Sequence, residues 1–193
     1  AEYFNSVFIQ PSPADFSQLS LKPMFSTKIE TSHITVDDVL KYLKRCKDSF
    51  SMGIDGIPSF LIKDCAHAFE QPLCTLFNLI WKHSVFPPLW KRAYVCSILK
   101  KGRQNDVTNY RGISLLCNFS KVLEMILYCD IYNSTKHMIS PYQHGFQQKK
   151  STNTNLTSFV CEILDNRGQC DVIYTYFTKA FDQIDHLILV EKL

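Results

Sequence analysis

Two short runs rich in β-branched and aromatic residues, AYVCSILK at 93–100 and DVIYTY at 171–176, stand far apart with helical periodicity between them. Strand candidates so few, separated by such long helical insertions, point to a helix-rich α+β domain. The helical signals are local and specific. Val36, Val39, Leu40 and Leu43 recur at helical spacing, and Thr35 with Asp38 forms a capping-box pair ahead of them. Lys41, Lys44 and Arg45 crowd the outer face and last turns, where cations suit the helix dipole.

The stretch SMGIDGIPSFLIKDCAHAF then gives a Gly-Asp-Gly turn and a helix initiated at Pro58. A third helix is expected over 71–83, carrying Leu73, Leu76, Phe77, Ile80 and Trp81, and FPPLW breaks it. KKGRQNDVTNYRG reads as a polar loop, with ISLL after it as strand or turn. Ser120 is expected to cap a helix with Val122, Leu123, Ile126, Leu127 and Ile131 on one side. A basic loop, QHGFQQKK, leads into a helix from about Thr152, and the chain then turns into a final strand, Asp171 to Tyr176. Residues 1–30, interrupted by Pro11, Pro13 and Pro23, form an irregular lead-in.

Composition narrows the class. The 193 residues are 46% hydrophobic and 20% charged, which is globular rather than disordered. A net charge of +3 is compatible with nucleic acid. Eight cysteines lack any C-x-x-C spacing and lie mostly in apolar runs, so they are expected to be buried, reduced thiols in a reducing compartment. No apolar run approaches the ~18 residues a membrane span needs. The first residues carry no secretory signal, which places the chain inside the cell, in nucleus or cytoplasm. It starts without methionine and reads as a segment of something longer.

Specific strings go further. PLWKRAYVCSILKKGRQNDVTNYRGISLL, SKVLEMI, ISPYQHGFQQKKSTNTNL and DVIYTYFTKAFDQIDH occur in that order, after SMGIDGIPSFLIK and an early FNSVF. Together they resemble the reverse transcriptases of non-LTR retrotransposons, especially jockey and CR1-like elements, over nearly the whole chain. The resemblance implies the fingers (about 31–168) and the first palm strand (about 169–193) of a right-hand polymerase, an incomplete domain. Such enzymes extend a primer on an RNA or DNA template with deoxynucleoside triphosphates and two Mg²⁺ ions held by carboxylates.

By that resemblance, Lys100 and Lys101 match the family's KKG and Arg111 its NYRP, residues that meet nucleotide phosphates or template; ordinary solvated cations are the alternative reading. Lys149 and Lys150 keep positive charge beside Gln147, which stands where the family often has arginine. Phe181 matches the ring that crowds the nucleotide's 2′ position, or else is a core ring. Ser97 and Gly112 each replace a common proline. The departure that matters most is Tyr176. The family motif reads Y-x-D-F-S-K-A-F-D, and Tyr176 takes the place of its metal-binding aspartate. Asp182 matches the second aspartate, expected to cap a helix, and Asp171 and Asp185 are weaker candidates still.

No metal site is therefore expected to be intact, and Mg²⁺, implied by the family, is expected not to bind. The chain also stops before the family's second carboxylate pair. Three readings follow from these residues: a polymerase segment that is catalytically inactive, a non-catalytic module that binds nucleic acid or an intact polymerase, and a half-domain with no role of its own. In the second, the unpaired edge of the palm strand offers a surface for association.

Overall fold

A computed structural model describes residue 6, residues 33–177 and positions 180, 184, 185, 188 and 189. The expected lead-in over 1–30 therefore lies outside the described residues, Ser6 excepted. The chain divides into two compact units, one formed by Thr27–Ser134 and the other containing Thr135–Leu193.

The first unit begins with α1, Val36–Lys44, capped as its sequence dictates. The Thr35 hydroxyl accepts the Asp38 amide, and the Asp38 carboxylate accepts the Thr35 amide, both at 3.2 Å. After the turn at 53–56, closed by the Gly56 amide donating to the Gly53 carbonyl, α2 runs over Ser59–Asp64. Pro58 is its N-cap, one residue earlier than a first-turn proline would be. The Cys65 carbonyl then accepts from Ala68 and Phe69 and opens α3, Ala66–His83.

Helix α3 starts five residues before the expected position, with Pro72 inside it. A proline ring inside a helix disfavours the turn before it. Here that turn is held by burial of Ala66 and partial burial of Phe69 against the core. Ser84, in the left-handed region with φ 53°, ends the helix, and FPPLW continues as a single 3₁₀ turn over Pro88–Lys91.

Strands β1 (Tyr94–Leu99) and β2 (Tyr110–Leu115) form an antiparallel hairpin, and α4 spans Asn118–Thr135. Ser120 does not cap α4. It lies fully buried within the first turn, and its hydroxyl donates to Glu124 Oε1 at 2.9 Å. The helix begins three residues earlier than a Ser120 cap would set it because buried Asn118 finds better partners, its side-chain amide donating to the carbonyls of Ser51 (2.8 Å) and Ile57 (2.9 Å). That pair of bonds fastens the 51–57 turn onto the helix start. Gly53 completes the join: a Cβ there would stand 2.5 Å from the Cys117 backbone nitrogen.

One hydrophobic core gathers Val39 and Leu43 of α1, Ile62 of α2, Phe77 of α3, Trp90 of the 3₁₀ turn, and Val122, Leu123 and Ile126 of α4. Asn78 ties the helices at one edge, exchanging two hydrogen bonds with the backbone of Ile34. Among the described residues, every buried side chain lies in this unit.

The second unit holds a 3₁₀ turn, Lys136–Met138, and α5, Thr152–Asp165, which begins where its sequence indicates. Ser151 and Thr154 form its capping box. The expected strand over Asp171–Tyr176 is not formed; these residues take no regular structure and are exposed. A strand is stabilised by cross-strand partners, and none pairs with this run among the described residues.

The cysteines correct a further expectation. All eight are free thiols, but only Cys74 and Cys117 are buried, and Cys96, Cys161 and Cys170 are exposed. Neighbouring apolar residues did not imply burial, because hairpin and α5 positions face solvent on both sides. No described helix is long and apolar enough to cross a membrane.

Candidate nucleic-acid interface

The hairpin is the site's scaffold. Its register pairs Tyr94 with Leu115, Cys96 with Ile113 and Ile98 with Arg111, so these six side chains share one face. Val95, Ser97, Leu99, Tyr110, Gly112 and Ser114 share the other. Most of them are exposed, so neither face of this sheet is sealed by the core.

The tip is rigidly built from polar side chains. Just beyond the strands the Lys100 amide donates to the Asn109 carbonyl at 2.8 Å. The Asn109 side-chain amide reaches back to the Arg103 carbonyl at 3.0 Å, and the Tyr110 hydroxyl donates to the Gln104 carbonyl at 2.8 Å. Gly102 sits at φ +87°, with the Asn109 side chain 2.8 Å from where a Cβ would be, so only glycine fits. Asp106 accepts the amide and hydroxyl of Thr108 at 2.9 and 2.6 Å, and these bonds hold its carboxyl below the ordinary value. Its charge is thereby turned to its own loop.

Lys100, Lys101 and Arg111 are all exposed, and the tip brings them to one end of the hairpin. Arg103, on the same loop, belongs with them; reading the stretch as an undifferentiated polar loop missed it. The signal was the pattern D-x-T-N-Y, whose short side chains and phenol close the loop on itself. Four cations against one internally bonded carboxylate make this tip a local positive centre.

In the second unit Lys149 is exposed at φ 61°, while the Lys150 ammonium donates to the Pro141 carbonyl and is half-buried. The His144 ring nitrogen Nδ1 pairs with Thr154 Oγ1 at 2.9 Å, which fixes the loop against the start of α5. Tyr176 is exposed, in the irregular segment after α5. Asp171 accepts from the Gln169 side chain, and Asp185 accepts from the Ile188 amide. Phe181 and Asp182 lie outside the described residues. Tyr176 offers one phenol oxygen on a bulky ring. Among the described residues no three His, Cys, Asp or Glu side chains come together.

No family model matches the chain. Curated relatives do. It is 26% identical over 180 residues, 90% of its length, to the probable RNA-directed DNA polymerase from transposon BS of Drosophila melanogaster. It is 27% identical over 179 residues, again 90% of its length, to the RNA-directed DNA polymerase from mobile element jockey of Drosophila funebris. A retrovirus-related Pol polyprotein from the type-1 retrotransposable element R1 of Bradysia coprophila is 30% identical over 150 residues, 76% of this chain and 15% of that protein. This chain is a relative of the non-LTR retrotransposon reverse transcriptases. It spans 20% of the length of the first two relatives.

Of the strings that carry the resemblance, KKG and NYR lie on the hairpin, with Lys100 and Lys101 at the exit of β1 and Arg111 in β2. Its DVIYTYF string lies in the other compact unit.

Proposed function

We propose that the chain is the fingers and the start of the palm of a reverse transcriptase fold, divided near 168, which holds nucleic acid without adding nucleotides to it. Tyr176 carries the second half of that reading. Where the family places an aspartate, a phenol presents a single oxygen on a bulky ring in place of a two-oxygen carboxylate. Two-metal phosphoryl transfer requires carboxylates that clamp both ions, so the exchange removes the ligand rather than weakening it. Asp182, past the turn, matches a residue that does not bind metal and cannot take over.

The hairpin tip supports the first half. Lys100, Lys101, Arg103 and Arg111 project from a loop whose own hydrogen bonds are satisfied, leaving their charges for phosphates. Nothing in that set reads base edges, so the partner is RNA or DNA template–primer of any sequence, bound weakly and with strong dependence on salt. Lys149 adds to the basic surface of its own unit.

Primer extension with Mg²⁺ and all four deoxynucleoside triphosphates tests the reading, run beside a gel-shift assay on the same labelled duplex. Retarded duplex with no extended primer is expected. An extended primer would overturn the catalytic half, and a folded chain that retards no duplex would overturn the binding half.

A further inference from the structure

Between Glu70 and Asp106 the chain holds six Lys and Arg residues and no Asp or Glu, so its overall charge of +3 is concentrated there. Lys100, Lys101 and Arg103 lie at the hairpin tip; Lys82, Lys91 and Arg92 are the other three. Lys91 closes the 3₁₀ turn over Pro88–Lys91, and Arg92 leads from it toward β1. Both are exposed. Trp90 beside them is buried, and its ring meets those of Phe77 and Phe86 edge-on, with centroids 6.2 and 5.7 Å apart. The base of the hairpin is thereby fixed to the core, and the two cations with it.

Strand alternation assigns Arg92 to a face. Its backbone is extended, with φ −107° and ψ 146°, and it stands two residues before Tyr94. Lys100 stands two residues after Ile98 and continues the ladder through its amide bond to Asn109. Residues two apart in extended chain share a face, so Arg92 and Lys100 join Tyr94, Cys96, Ile98 and Arg111. That face carries one cation at its base and two at its far end. Tyr94 and Ile98 between them are uncharged and half exposed, and neither strand contains Asp or Glu. From Arg92 to Lys100 the chain covers roughly 26 Å at the rise of a strand. Nucleic acid covers the same length with roughly eight base pairs.

We propose that this face is a two-anchor track for a sugar–phosphate backbone. Nucleic acid held at the tip by Lys100 and Arg111 runs along the face and meets a second phosphate anchor, Arg92, at the hairpin's base. The proposal rests on the reading that the tip holds phosphates, and adds to it a further site, a direction and a length. The second anchor engages a ligand that is already bound, on a scaffold that fixes the distance between the two, so it strengthens binding without reading sequence. Each phosphate neutralised there releases counterions and steepens the dependence on salt.

Cys96 lies on this face midway between Arg92 and Lys100 and is an exposed free thiol, so the chain carries its own reporter. The test alkylates the full 193-residue chain with an uncharged maleimide at low salt, with and without a template–primer duplex longer than the track, and follows each cysteine by peptide mass spectrometry. At a duplex concentration about ten times Kd, Cys96 should react about tenfold more slowly, in step with the fraction of free chain. Cys161 and Cys170, exposed in the other compact unit, are the reference thiols. In parallel, Arg92→Ala should lower the slope of log affinity against log salt by about one, and Arg92→Lys, which keeps the charge, should restore it. Arg92 is exposed, and matching urea melts would show that both variants fold as the parent does. Duplex binding that leaves Cys96 at its free rate, or a slope indifferent to Arg92→Ala, would overturn the track and leave the reading of the tip standing. A folded chain that binds no duplex would overturn both.

Discussion

Ser97 stands directly opposite Gly112 in the β1–β2 ladder, so the two positions at which the resemblance implies a proline face one another across the hairpin. The bond from the Lys100 amide to the Asn109 carbonyl sets the alternation of the ladder. Counting back from it, Ile98–Arg111, Cys96–Ile113 and Tyr94–Leu115 exchange hydrogen bonds, and Ser97–Gly112 does not. The amides of Ser97 and Gly112 therefore point away from the partner strand. Proline at either place costs no ladder bond.

Gly112→Pro should accordingly stabilise the chain, by about 0.5–1 kcal/mol, because it removes freedom from the unfolded state. Ile113→Pro, one residue on, loses a ladder donor and should destabilise by about 3 kcal/mol. Urea melts of the two variants check the register itself. If both destabilise alike, the alternation is wrong.

Two glycines predict separable effects. Gly53→Ala drives a Cβ to 2.5 Å from the Cys117 backbone nitrogen and should cost about 2–3 kcal/mol of global stability, read in the same melts. Gly102→Ala meets the Asn109 side chain at the hairpin tip, where φ is already +87°. It should leave the melt of the core nearly unchanged and weaken duplex binding severalfold by opening the loop that presents the cations.

The buried thiols predict how stability falls with pH. Burial raises the Cys74, Cys117 and Cys46 thiols above their ordinary 9.0, and a hydrogen bond with Cys129 together with burial pushes the Tyr42 phenol up to about 12 from 10.0. Each group is thus harder to ionise folded than unfolded. The stability this contributes is complete below the unfolded value and is lost as pH rises from there through the raised one. The urea midpoint should hold between about pH 7 and about pH 8.5 and then drop steadily toward about pH 11. Cys74→Ser, which replaces one raised thiol by a group that does not titrate, should make the drop shallower.

What could be read from sequence divides along physical lines. The capping box at Thr35–Asp38 acts within one turn, so the start of α1 was legible, and the end of the basic loop marked the start of α5 near Thr152. Strand β1 showed itself because charge bounds it on both sides. Signals that depend on distant partners misled. The helix expected over 71–83 gains its first turns only when Ala66 and Phe69 are seen against the core, and Ser120 reads as a cap until Asn118 takes the carbonyls of Ser51 and Ile57. DVIYTY has a strand's composition, but composition does not supply the neighbouring strand. At the candidate interface, Lys100, Lys101 and Arg111 were visible as charges. Their common placement was not, because it comes from contacts of Asn109 and Tyr110 with Arg103 and Gln104.

The most direct measurement is a titration of the folded chain against labelled template–primer duplex, followed by fluorescence anisotropy at several salt concentrations. The account predicts binding at low salt that falls linearly on a log–log plot, with each of Lys100→Ala, Lys101→Ala and Arg111→Ala lowering the slope by about one. A chain that melts cooperatively yet binds no duplex, or one whose slope ignores all three substitutions, would contradict the claim that the hairpin tip holds nucleic acid.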